Sequence, residues 1–256
     1  MVNDGNITIV ELQETDSTNN WLKEHRDMPD GTVFKIARAD FQSSGRGQRG
    51  NCWESEPHSN LLFSILSRPG FVRAGDQFCL SEAISLAITD TLMEMNDELA
   101  RFISVKWPND IYWKEKKLAG ILIENTIQGQ CLADSIIGIG LNVNQPVFRS
   151  DAPNPVSIRN IIGLESDCGQ IFSSIIMNFA GYYQKLSEGG REEIHSKYLR
   201  RLFRIEGLHP YRDSAGQFLA GIETVRPDGI LKLRDTDGNL RSYEFKQVSY
   251  ILQSIS

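Results

Sequence analysis

The stretch VKWPNDIYWKEKKLAGILIEN (105–125) decides how the chain is built. The apolar run FISVKWPND (102–110) reads as a strand, and it ends at Pro108, which lacks an N–H and restricts Trp107. The chain is therefore expected to turn out of the sheet at Asn109 and Asp110. A charged turn, KEKK (114–117), leads into the strand LAGILIEN (118–125), and the hairpin QGQ (128–130) into DSIIGIGLNVN (134–144). Strands joined by such short connections form a mixed, mainly antiparallel sheet. Upstream, TVFKIARAD (32–40) and NLLFSIL (60–66) read as two more strands.

Helices pack on this sheet, giving an α+β class. Asp16 or Ser17 can cap a short helix through NNWLKEH (19–25). Ile84, Ala87, Ile88, Leu92, Met95 and Leu99 recur at helical spacing through 76–100, and Ile171, Ile175, Phe179, Tyr182 and Leu186 mark a second long helix. A third is expected over 190–202. Beyond about residue 206 the texture changes to QFLAGIETV, ILKLRD and LRSYEF, separated by RPDG and TDGN, which predicts a small β barrel or meander. The expected division is 1–206 and 207–256.

Bulk properties narrow the function. The 256 residues are 40 % apolar, enough for a continuous core, and the net charge of −6 argues against a nucleic-acid partner. Cys52, Cys79, Cys131 and Cys168 lie far apart with no C-x-x-C pair, so free thiols in a reducing cytosol are expected. No signal peptide and no run of 18 apolar residues is present, which leads us to expect a soluble cytoplasmic protein without a membrane partner.

Three segments carry chemistry. QSSGRGQRGNCWES (42–55) has glycines at 45, 47 and 50 that allow close backbone approach, with Arg46 and Arg49 adding cations suited to carboxylate or phosphate. Its G-x-G-x-x-G spacing matches the dinucleotide fingerprint, but no helix follows it; alone, it also reads as a solvated turn. Asp110 can hold Mg²⁺ through oxygen. Lys117 differs from Lys114 and Lys116 in being anchored by Leu118 and Ala119, although the three also read as a solvated hairpin tip. GIGLNVN (138–144) sets Asn142 and Asn144 two apart, hence on one face of a strand, where an amide suits an adenine edge or simply caps the strand end.

Taken together and in order, DSTN (16–19), GRGQRG (45–50) with Trp53, KWPND (106–110), KLAGIL (117–122) and GIGLNVN (138–144) resemble the biotin protein ligases from about residue 9 to the end. The resemblance implies a class II synthetase-like catalytic domain with an SH3-like β domain, and an enzyme that joins biotin to ATP as biotinyl-5′-adenylate and then transfers it to a lysine of a carboxylase biotin carrier domain. It implies Ser17, Thr18, Asn19, Gln42, Gly45, Arg46, Lys117 and Gly120 at biotin, with Arg46 and Lys117 catalytic. It implies Gln48, Arg49, Trp53, Asn109, Lys117 and Asn142 at ATP, and Asp110 at magnesium. The arginine-glycine loop is expected to gain order on ligand binding, with Trp53 closing the site.

One position departs from the pattern: many members carry arginine where this chain has Gln48, so a faster leak of the adenylate is expected unless Arg49 substitutes. Some members add an N-terminal winged helix-turn-helix; with the pattern starting near residue 9, a monofunctional ligase is expected. A homodimer through an exposed sheet edge is compatible with the architecture. A lipoate ligase shares the chemistry but differs at the loop and lysine motifs, and a biotin-holding module without turnover would not need Arg46, Asp110 and Lys117.

Overall fold

The computed structural model describes residues 6–47, 52–149 and 154–252. Seven strands, β1 (Ile7–Thr15), β2 (Phe34–Gln42), β3 (Leu61–Ser67), β4 (Ile103–Lys106), β5 (Asp110–Trp113), β6 (Lys116–Gln128) and β7 (Cys131–Leu141), form one sheet in the order β1-β2-β3-β7-β6-β5-β4. All neighbours are antiparallel except β1 and β2. A parallel pair needs a crossover, and the connection that contains helix α1 (Thr18–Glu24) supplies it.

Alternation along the strands gives the sheet two unlike faces. Phe34, Phe63, Ile65, Ile137 and Ile139 join a core with α2 (Phe78–Met95), α5 (Cys168–Ser187) and α6 (Arg191–Arg200); Phe63 meets Phe172 edge-on at 5.1 Å. On the other face, Leu22 of α1 covers Ala37, Leu66 and Ile136 in a small second cluster. Beside that cluster this face carries Ser64, Gly138, Gly140, Gly120 and Glu124, which is where a ligand can lie on the sheet.

The expected helix over 76–100 is two helices. Asn96 breaks it, its side chain accepting from the N–H groups of Glu98 and Leu99, and starts α3 (Asp97–Phe102). In α5 the buried tyrosine is Tyr183 and not Tyr182, whose hydroxyl pairs with Asp90. The run FISVKWPND divides as well. β4 stops at Lys106, a cis Trp107–Pro108 peptide turns the chain, and Asp110 opens a separate strand, β5. The following turn centres on Lys114, so Lys116 and Lys117 belong to β6 and not to the turn. β7 ends at Leu141, leaving Asn142 and Asn144 beyond the strand. Strand β1 and the short α4 (Ile158–Ile162) were not foreseen.

The C-terminal sheet contains β8 (His209–Asp213), β9 (Gly216–Val225), β10 (Leu231–Asp235), β11 (Leu240–Tyr243) and β12 (Ser249–Tyr250), all antiparallel, in the order β11-β10-β9-β8-β12. It docks at the β4–β5 edge of the large sheet: the Trp107 indole N–H donates to Gly229 O at 2.9 Å, and Arg204 reaches Ile251 O and Glu115. Tyr211, Val225, Leu231 and Leu233 are fully buried and continuous with the main core.

Candidate active site

A cavity of about 950 Å³ opens on the glycine-bearing face of the sheet. Its register can be read along β6 and β7, where Leu122 pairs with Gly138 and Gly120 with Gly140. Gly138 also pairs with Ser64 of β3, so three strands contribute to one row.

At the Gly138 row the wall is polar. Thr18 N donates to Gln42 Oε1 at 2.7 Å, Ser64 Oγ donates to Asn19 Oδ1 at 2.6 Å, and the Thr18 and Ser64 hydroxyls lie 2.6 Å apart. Each hydroxyl has one proton; with that of Ser64 given to Asn19, the Thr18 hydroxyl has two acceptors for its own, Ser64 Oγ at 2.6 Å and Gln42 Oε1 at 3.1 Å. Glycine is required at 138 because a Cβ there would sit 2.2 Å from Asn19 Oδ1. Ser17 is the N-cap residue of α1, yet its buried side chain makes no capping bond. Asp16 instead accepts from Ser17 N and from Asn20, and the Asn20 bond above all holds its carboxyl below the ordinary range.

The middle of the floor is occupied by Trp53. A Cβ at Gly140 would lie 2.4 Å from its ring and one at Gly120 2.9 Å, so the paired glycines form a slot for the indole. Gly45 lets the loop approach: Trp53 N donates to Gly45 O at 2.8 Å, and a Cβ on Gly45 would meet Trp53 O at 2.6 Å. Trp53 Nε1 is buried with no protein partner.

Cations approach from two sides. Lys117 Nζ lies 2.7 Å from Asp110 Oδ1 and 5.5 Å from the Trp53 ring centroid. Lys117 precedes Gly120 by three residues and would face the opposite side of a regular strand. A β-bulge resets the alternation, since Ala119 and Lys117 pair with the consecutive residues Ile111 and Tyr112. From the other side Arg46, bridged to Cys52, lines the same cavity and reaches Glu124 and Asn20. Lys106 adds a third cation, 4.0 Å from Asp110 and stacked on Tyr112 and Tyr250; burial pushes its ammonium down despite the nearby Asp110 charge.

At the far end, past Gly140, Asn142 Nδ2 donates to Val156 O, whereas its Oδ1 is buried without a protein partner. The Asn109 amide donates to Ile121 O at 2.6 Å and stitches the turn onto β6. Gln48 and Arg49 lie outside the described residues. Among the described residues no group of three or more His, Cys, Asp or Glu side chains could hold a metal ion. Asp110, a single carboxylate facing two ammoniums, suits a magnesium ion carried in on phosphate oxygens, not a resident one.

Every described residue expected at the ligand, Gly45 apart, lines this cavity, and Gly45 holds Trp53 in it. Sequence reasoning missed Lys106 and the C-terminal Phe245, Lys246, Val248, Ser249 and Tyr250, which close one wall, and Ser64 and Glu124, which hold the lining residues Thr18, Asn19 and Arg46 from behind. Period-two alternation through GILIE puts Glu124 on the face of Gly120 and Leu122, a signal that was available.

The family model "Biotin/lipoate A/B protein ligase family" matches residues 11–142, just over half of the chain. The chain belongs to this family. Among relatives of this ligase-family protein, the biotin–[acetyl-CoA-carboxylase] ligase of Paracoccus denitrificans is 29 % identical over 89 % of this chain and 94 % of the relative. The bifunctional ligase/repressor BirA of Salmonella typhimurium is 31 % identical over 92 % of this chain and 69 % of its own. In fold, the family member resembles the biotin protein ligase from Aquifex aeolicus in complex with biotin and ATP, with a TM-score of 0.79 and 23 % identity over 96 % of this chain and 99 % of that one. This supports the α+β reading with an antiparallel C-terminal sheet.

Proposed function

We propose that this chain activates biotin with ATP and passes the biotinyl group to a lysine of a carboxylase biotin carrier domain. The carrying observation is that Arg46 and Lys117, 71 positions apart in sequence, line one cavity. Its volume of about 950 Å³ suits a cofactor acid together with a nucleotide. In the first step the biotin carboxylate attacks the α-phosphate and pyrophosphate leaves. In the second the carrier amine attacks the acyl carbon and AMP leaves.

The residue roles follow from chemistry. The ureido ring needs donors and acceptors in a sequestered pocket, and Ser17, Thr18, Asn19 and Gln42 supply them. Gly120 and Leu122 offer apolar surface to the rest of biotin, and Trp53, on its glycine shelf beside Lys117, is assigned to the nucleotide end, where it closes the site. Gly45 fixes the turn that aims Arg46. Arg46 and Lys117 draw together two anions that repel in water and stabilise the charge that builds as they react. The unpartnered Asn142 Oδ1 suits an adenine amino group, with Asn109 setting the adjoining turn. Gln48 and Arg49 are assigned to the nucleotide from the motif alone. Magnesium, travelling with the triphosphate beside Asp110, would neutralise phosphate charge.

We assign residues 1–206 to the catalytic unit and 207–256 to an SH3-like unit that closes the cavity wall and faces the carrier. The continuous core supports two units that fold together. A cytoplasmic setting, where ATP is at hand, belongs to the same proposal; among the described residues no helix is long and apolar enough to cross a membrane.

The test is pyrophosphate release from Mg-ATP, measured with biotin, with lipoate and with neither, followed by labelling of a carrier domain. Biotin-dependent release is expected, reduced by about 10²–10³ in Lys117→Ala, the usual loss for one preorganised donor to developing charge. Release with lipoate alone, or biotin binding without release, refutes the reading.

A further inference from the structure

Asp110 and Glu54 line the cavity; a further carboxylate, Glu124, stands beside it on the same face of the sheet, and the reaction as described leaves it without a role. Glu124 follows Gly120 and Leu122 on β6, and its side chain is about three-quarters buried, with 26 % exposed. It takes donors from three side chains. Lys23 Nζ stands 2.7 Å from Oε1 and Asn19 Nδ2 2.8 Å from Oε2, both from α1. Arg46 is farther, at 3.2 Å from Oε1 and 3.4 Å from Oε2, and its shortest contact, 2.7 Å, is to Asn20 Oδ1.

The unequal distances have a consequence. A buried carboxylate that loses its only cation is strongly destabilised. Glu124 would not be in that position if Arg46 left, because an ammonium and an amide N–H hold it at shorter range. Arg46 is therefore the loosely held member of the cluster, and it sits at the lip of the pocket assigned to the ureido ring. Asn19 belongs both to that pocket, through Ser64, and to Glu124.

We propose that Glu124 is a positioning residue that parks Arg46 while the cavity is empty, and that Lys23 keeps this hold exchangeable, so the guanidinium passes to the carboxylate of incoming biotin. This rests on the reading that Arg46 meets the ligand anion. Glu124 competes with the ligand for Arg46, and Lys23 weakens that competition by sharing the carboxylate. Removing the two partners of this one ion pair therefore shifts biotin affinity in opposite directions, whereas a purely structural pair would weaken binding from either side.

The experiment is calorimetric titration of the intact chain with biotin, in the wild type, Glu124→Gln, Lys23→Met and Lys23→Arg, each alone and with Arg46→Gln. Glu124→Gln is expected to bind about threefold more tightly and Lys23→Met about threefold more weakly, the size of a partly exposed ion pair. Lys23→Arg should restore the wild-type value. Both shifts should vanish with Arg46→Gln, which separates an effect relayed by Arg46 from direct attraction between these charges and the ligand. Shifts of the same sign, shifts that persist without Arg46, or no shift overturn the inference. A wild type that does not bind biotin, or an Arg46→Gln chain that binds it equally well, overturns instead the functional reading beneath it.

Discussion

Gly140→Ala tests the glycine shelf. The added Cβ would lie 2.4 Å from Trp53 Cε2, 2.6 Å from Nε1 and 2.9 Å from Cδ2, all on the ring and none on backbone. Non-bonded carbons rest at about 3.5–4.0 Å, so the indole must lift by roughly 1.1–1.6 Å. It cannot slide away as a unit, because Trp53 N is tied to Gly45 O. The ring must rotate out of its slot, into the space where the ligand is proposed to lie. Overpacking of this kind costs about 1–3 kcal/mol, equivalent to roughly 5- to 150-fold in an equilibrium. Loss of glycine flexibility in the unfolded chain offsets about 0.4–1 kcal/mol of any stability change. The expected result is a melting temperature within a few degrees of wild type and a KM for biotin raised by about tenfold in the pyrophosphate assay. Adding Trp53→Leu removes the colliding ring, so in that background Gly140→Ala should have little further effect. Equal losses in both backgrounds, or an unchanged KM, would refute the steric reasoning.

Two further outcomes concern the scaffold. His195 Nδ1 lies 2.7 Å from Oε1 of the buried Glu82, and this bond above all, opposed by burial and by the Arg191 charge, raises the imidazole above its usual value of 6.5. Its stabilisation is complete below pH 6.5 and is lost as pH rises through the elevated native value, so thermal melts of wild type should fall over that interval relative to His195→Gln. Arg204, whose side chain is only 6 % exposed, binds Glu115 and Ile251 O; Arg204→Ala should cost about 2 kcal/mol, less than a fully buried pair because Glu115 is wetter, and lower the melting temperature by roughly 4–8 °C in a scanning calorimeter.

Much of this architecture was legible because its signals are local. Short apolar runs bounded by turn residues marked the β2, β3, β6 and β7 strands, 3.6-residue spacing marked α2 and α5, and Pro/Asp/Gly turns marked the C-terminal strands. The candidate site was legible through glycines and cations in fixed order, since close approach and charge restrict which residues can stand there. What escaped depends on partners distant in sequence. Strand β1 has an edge pattern that only its pairing with β2 explains, Ser64 looked like one polar residue in an apolar run until Asn19 and Thr18 were seen above it, and the wall at Tyr250 arises only from docking of the second sheet. The two-helix break at Asn96 is readable locally, from the capping chemistry of an asparagine ahead of Asp97 and Glu98.

The irregularity before Gly120 bears on how this hairpin tolerates change. Which way Lys117 points is a matter of counting. The same residues paired without this bulge would keep every lysine and the same composition, yet turn the ammonium toward the helices and away from the ligand. Spacing in this segment is thus as much a chemical requirement as the identity of any side chain in it.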